Sequence, residues 1–206
     1  KYLLILLFLA GCQTIPEIKP ETPSVTPPVI VKPITYKAVW DSKPNAKVWT
    51  DAVVNALEVH GSDMLKAKPK DEAKWCKGLG AMSESKKKQF YVYLISAMAE
   101  RESGFKPELT YTESFNDSKG KKVISRGMLQ ISIESGNAYG CGFKTTADLH
   151  DAGKNLSCGV KILNRWIGRD QHIGTAKLGG ARYWSVLRDT SGSQAKIKAK
   201  TLKFCE

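Results

Sequence analysis

Two short segments of this chain, AMAERESGFKP at 97–107 and SRGMLQIS at 125–132, hold the residues best suited by type and spacing to acid–base chemistry. Glu102 is the first of them. Phe90 to Ala99 is nearly apolar all round, as a helix is when most of its sides are buried. Ser83 or Ser85 is placed to cap its start, and Gly104 followed by Pro107 to stop it. Phe90, Leu94, Met98 and Glu102 then follow one another at i,i+4 on a single face. A carboxyl that continues an apolar face is partly desolvated, which raises its pKa. The C-terminal end of the helix disfavours negative charge and acts in the same direction. Together they keep a proton on Glu102 near neutral pH, the condition for a general acid. Glu100 and Arg101 point elsewhere and read as surface. The alternative, a solvent-facing glutamate in a fraying last turn, fits the electrostatics of the position less well.

The elements that must position these residues are helical. Asn45 to His60 carries Val48, Trp49, Val53, Val54 and Leu57 near an amphipathic period, and Gly61 ends it. Residues 106–126 are polar, contain Gly120 and read as a loop or short hairpin. Met128, Leu129, Ile131 and Ile133 are expected to begin a short helix broken at Gly136. Asp151 to Ile167 places Leu156, Val160, Leu163 and Ile167 at helical spacing, and Ala181 to Arg188 suits a turn or two of helix. From Gln194 to Phe204 lysines alternate with apolar residues, so helix and strand both remain open. The expected fold is mainly α, an α+β arrangement with one helical domain and a small β element beside a cleft.

Glu102-Ser-Gly-Phe105, followed 25 residues after the glutamate by Gly127-Met-Leu-Gln130, resembles the active-site core of the lysozyme-like superfamily. Within it the lytic transglycosylases and goose-type lysozymes are the groups most similar. The resemblance spans about Tyr93 to Arg188 and takes in Asn155 to Leu163 as a helix packing against the catalytic one. It implies cleavage of the β-1,4 bond between MurNAc and GlcNAc in peptidoglycan, with Glu102 as acid and then base. It assigns Ser103, Met128 and Gln130 to the sugar groove, where a glycine at 127 would allow close backbone approach. Many relatives carry Ala-Tyr-Asn-Ala-Gly near the end of the domain. Here the corresponding stretch is Gly180-Ala-Arg-Tyr-Trp-Ser-Val-Leu-Arg188, so Tyr183 takes the tyrosine's place, without the asparagine. A transglycosylase needs one carboxylate; an inverting, hydrolytic lysozyme needs a second, for which Glu113 and Asp117 are in range. The family favours the transglycosylase. A non-catalytic wall-binding lipoprotein and a structural tether of the outer membrane are the readings outside enzymology.

The ends of the chain and its composition agree with an exported domain. Tyr2 to Ala10 is an apolar run too short to span a bilayer as a mature helix, and it leads into Leu9-Ala-Gly-Cys12. This resembles a lipobox, implying a signal peptide over 1–11 and a lipid on Cys12. Residues 12–36 form a proline-rich linker holding six of the nine prolines. Gln13 after the cysteine points to the periplasmic face of the outer membrane. Without Cys12 the cysteines form an even set of four, with three possible pairings. The favoured pairing is Cys141–Cys158, bracketing the loop after GMLQIS, with Cys76–Cys205, tying the chain end back to the body. No CxxC occurs, and His60, His150 and His172 are scattered, so neither metal nor cofactor is expected. The net charge of +12 falls almost wholly in the domain over 37–206. Such a charge suits an anionic surface such as the wall; nucleic acid is not an expected partner of a lipid-anchored, monomeric chain.

Overall fold

A computed structural model describes residues 34–205. The expected signal peptide, the expected lipidation at Cys12 and most of the linker lie outside the described residues. From Thr35 onward the chain forms one compact unit, mainly α with a small antiparallel sheet. No helix among the described residues is long and apolar enough to cross a membrane.

The apolar run around Phe90 becomes α3, Glu84–Ser103, with Ser83 at its N-cap and Gly104 at its C-cap. Phe90, Leu94, Ile95 and Met98 are fully buried, so the helix runs through the core rather than along its rim. α1 (Ala46–His60) and α2 (Ser62–Lys66) pack on α6 (Ala152–Asp170), and α7 (Gly192–Cys205) packs on α3. β1 (Thr110–Asn116) and β2 (Lys122–Arg126) are the hairpin expected in the polar interval after Glu102. α4 (Ile133–Ala138) and α5 (Thr146–His150) follow it. A two-residue pair, β3 (Gly174–Thr175) with β4 (Leu178–Gly179), closes the loop after α6.

What fixes the end of α3 is an aromatic cluster. Gly104 and Phe105 both adopt left-handed backbone angles, φ 61° and 66°, so the chain reverses immediately after the helix. For a phenylalanine that conformation is costly and must be held from outside. The Phe105 ring lies 6.2 Å from Trp40 and 6.5 Å from Trp49, which are themselves 5.6 Å apart. Trp40 is anchored in turn, its indole N–H donating to the Thr50 hydroxyl at 2.9 Å. The position of Glu102 is thus set by side chains before α1 as well as by α3.

Both disulfides form as paired from the sequence. Cys141–Cys158 ties the loop after α4 to α6, and Cys76–Cys205 ties the end of α7 to the segment before α3. Such cross-links restrict the unfolded chain, and more so for long loops like the 129-residue separation of the second.

Three local expectations change. Residues 127–130 do not start a helix; they form a four-residue loop closed by paired hydrogen bonds between Arg126 and Ile131, both at 3.0 Å. The helix starts later, at Ile133, where the Ser132 hydroxyl accepts the Ser135 N–H. The stretch after Gly180 is two 3-10 turns, Gly180–Arg182 and Ser185–Leu187, not α-helix. The chain end resolves as helix α7.

Candidate active site

A cavity of about 530 Å³ opens between the end of α3, the β1–β2 hairpin, α4 and the 3-10 turns after Gly180. Glu102, Glu113, Gln130 and Tyr183 all line it. Four of the residues singled out in the sequence therefore come together.

Glu102 has the surroundings of an acid that holds its proton. Burial pushes its carboxyl up to about 8, and the negative charge of Glu113 adds to the shift. The second cause differs from the helix-end effect expected from the sequence; a facing carboxylate supplies it. Glu113, half-buried on β1, accepts a hydrogen bond from the Ser125 hydroxyl across the hairpin at 2.7 Å. The two glutamates thus sit on different elements of one cavity in unlike surroundings, one desolvated and one hydrogen-bonded through a hydroxyl. Such a pair suits one proton donor and one acceptor. Asp117 and Glu134 also line the cavity, against the single guanidinium of Arg188, so the lining is acidic within a basic chain. The hairpin tip reaches α4 through Ser118, whose hydroxyl donates to the Glu134 carboxylate.

The loop of Gly127 to Gln130 is set by α6. Asn155, wholly buried, accepts the Leu129 N–H at 2.8 Å and donates to the carbonyls of Arg126 and Leu149, each at 3.0 Å. Gly127 has φ 81°, and a Cβ there would come within 2.1 Å of the Leu149 carbonyl and 2.4 Å of the Asn155 amide. The glycine therefore admits the Leu149 carbonyl of α5 and the Asn155 amide of α6, and not the close backbone approach to a sugar expected from the sequence. One turn along α6, Gly159 makes room for the Leu129 side chain. Asn155→Leu would leave the Leu129 N–H and the Leu149 carbonyl without the asparagine and take one of two partners from the Arg126 carbonyl, at a cost of about 3 kcal/mol. Calorimetry is expected to show a melting temperature lower by several degrees, with cleft chemistry lost in proportion to unfolding.

Gln130 adopts φ 49° and donates its amide N–H to the carbonyls of Gly127, at 2.9 Å, and Leu109, at 3.2 Å. That leaves its Oε1, a buried acceptor, without a donor among the described residues. Tyr183 shares a hydrogen bond with the Ser135 hydroxyl at 2.5 Å and packs edge-on against Tyr139 at 5.9 Å. Burial pushes its phenol up to about 12; the Ser135 bond offsets this in part, and the nearby Glu102 charge adds to it. Trp184 is nearly buried and fixed by its indole N–H to the Leu129 carbonyl at 2.9 Å.

Ser103 and Met128 are placed elsewhere. The Ser103 hydroxyl donates to the carbonyls of Ala99 and Met128, at 3.1 and 3.0 Å, and its side chain is buried. The Met128 side chain is fully buried in the core. Neither lines the cavity: Ser103 holds the loop against α3, and Met128 fills the space beneath it. Among the described residues no cluster of three His, Cys, Asp or Glu side chains could hold a metal. Sequence reasoning passed over Asn155 as a binding group, although an asparagine next to the apolar stripe of α6 signals a buried polar joint. Ser125, Phe115 and Glu134 gave no signal of their own.

No protein-family model and no curated protein matches the chain. Solved structures of Bd0314 DslA, a Bdellovibrio protein, do match. The wild-type form 2 is 46% identical, with a TM-score of 0.79, over 83% of this chain and 98% of that one. The chain belongs to the DslA family. Two glutamate-to-glutamine mutants of DslA match over the same shares, at 44% and 45% identity with TM-scores of 0.78 and 0.79.

Proposed function

We propose that this protein hydrolyses the β-1,4 bond between MurNAc and GlcNAc in peptidoglycan, with Glu102 as general acid and Glu113 as general base. The observation that carries the reading is the pair itself: a desolvated carboxyl, raised to about 8, beside a carboxylate hydrogen-bonded by Ser125 in one cavity. Glu102 gives its proton to the glycosidic oxygen as the C1–O bond breaks. Glu113 takes a proton from a water whose oxygen bonds to C1, so the products carry a reducing end and a free hydroxyl.

The family supports the same pair. The glutamates replaced in the two DslA mutants lie eleven residues apart, the spacing of Glu102 and Glu113 here. The acidic lining bears on the substrate. With Glu102 protonated, the carboxylates of Glu113, Asp117 and Glu134 against one guanidinium favour strands whose glucosamine nitrogens are free ammonium groups over fully acetylated ones.

A second reading, the lytic transglycosylase to which the sequence resemblance points, draws support from Tyr183. Its phenol is close enough to feel the Glu102 charge, as the family's tyrosine would be. In that reaction the C6 hydroxyl of the sugar replaces water and a 1,6-anhydro end forms. Mass spectrometry of acetylated and N-deacetylated peptidoglycan digested in H₂¹⁸O separates the two. Hydrolysis gives reducing ends bearing one ¹⁸O, released faster from deacetylated strands. Anhydro products without label would establish the transglycosylase, and absence of any soluble fragment would leave a wall-binding lipoprotein.

The setting we propose is the periplasmic face of the outer membrane, through a lipid on Cys12. The two disulfides are in keeping with an oxidising, exported compartment.

A further inference from the structure

The pairing of β1 with β2 is regular at Tyr111 with Ser125 and Thr112 with Ile124, then resumes at Asn116 with Lys122. Between these points Glu113, Ser114 and Phe115 face the single residue Val123. An insertion of this kind bends a strand and redirects its side chains. Here Glu113, Phe115 and Val123 all line the cavity. The Lys122 ammonium, 2.7 Å from the Ser114 carbonyl, holds the outer side of the bulge.

Phe115 has no part in the core: it is 59% exposed, yet it lies two residues from Glu113 and borders the same cavity. A phenyl group on an acidic cavity wall matches one chemistry well. Pyranose rings carry hydroxyl groups on their rims, which the carboxylates can hydrogen-bond, and C–H groups on their faces, which need an apolar surface. Val123 widens that surface on the hairpin side, while Tyr183 and Trp184 bound the cavity elsewhere.

We propose that Phe115 is a stacking platform for a sugar ring of the glycan strand, set beside Glu113 by the bulge. The proposal rests on the glycan-cleaving reading above and names the residue that grips the polymer next to the base. Phe115 is a binding residue, so its loss acts on affinity. With soluble glycan fragments, Phe115→Ala is expected to raise KM about tenfold, the effect of losing one buried ring face, and to leave kcat within about twofold. The pH profile and melting temperature stay unchanged, and Phe115→Trp restores KM. An unchanged KM in Phe115→Ala, or a tryptophan variant as weak as alanine, overturns the platform.

Pelleting with intact sacculi separates this proposal from the catalytic one. In a Glu102→Gln background, Phe115→Ala is expected to weaken pelleting about tenfold. Phe115-dependent pelleting by a wild type that releases no fragments would retain the platform and reject the enzyme. Normal release with Phe115-independent KM and pelleting would do the reverse.

Discussion

Glu102→Gln is expected to abolish glycan cleavage and to make the folded protein more stable at the same time. The amide keeps the shape of the carboxyl but has no proton to give the leaving oxygen, so the rate should fall about a thousandfold or more. The stability gain follows from the raised pKa. A carboxyl near 8 folded, against an ordinary value of 4.5, binds more protons folded than unfolded throughout that interval. Stability therefore falls as pH rises from about 4.5 to about 8, and the loss is complete above 8. Glutamine never ionises and removes this loss, of the order of 4 kcal/mol at pH 8. Thermal melts should show the variant ahead by about 10 °C at pH 8 and level with the wild type at pH 4.5. Equal melting temperatures at both values would mean that Glu102 carries no raised pKa. The same ionisation sets the alkaline limb of wild-type activity, expected near pH 8.

That acid was legible in the sequence because α3 is buried on almost every side, so its apolar residues form an unbroken run and the glutamate stands out at its end. The disulfide pairing was legible because four cysteines leave only three arrangements. Elsewhere the chain hides its contacts. The helix at the chain end buries Gln194, Ile197 and Thr201, which have helical spacing, but two of the three are polar and the apolar period disappears. Gln194 is buried because its amide donates to the carbonyls of Gly174 and Leu187, a tertiary fact with no local trace. The loop of Gly127 to Gln130 looked like a helix start because Met128 and Leu129 are apolar. In the fold Asn155, from α6, takes up its backbone groups, and no local pattern announces a partner 26 residues away. Glu113 could be named only as one of two acids in a polar interval. Its distinction from Asp117 lies in the bulge and in Ser125, both of which depend on strand register.

Under the proposed hydrolysis Glu113 decides the fate of the cut sugar, so Glu113→Gln has the second large expected effect. As general base it is required for hydrolysis, and its loss should lower the rate by about 10²–10³-fold with the fold intact. The substitution also acts on its neighbour. The Glu113 charge is the smaller of the two causes that raise the Glu102 carboxyl, so neutralising it lowers that pKa while burial keeps it above the ordinary value. The alkaline limb of the residual activity should then move to lower pH, a shift that Ser125→Ala, which leaves the charge in place, would not produce. Under the single-carboxylate alternative Glu113 takes no proton from any nucleophile. Glu113→Gln would then release anhydro products within a few-fold of the wild-type rate, and only the pH profile would change. A large loss of rate together with a displaced alkaline limb is the joint result that assigns the second carboxylate to the chemistry, since misfolding would shift neither limb and a purely electrostatic neighbour would leave the rate near its maximum.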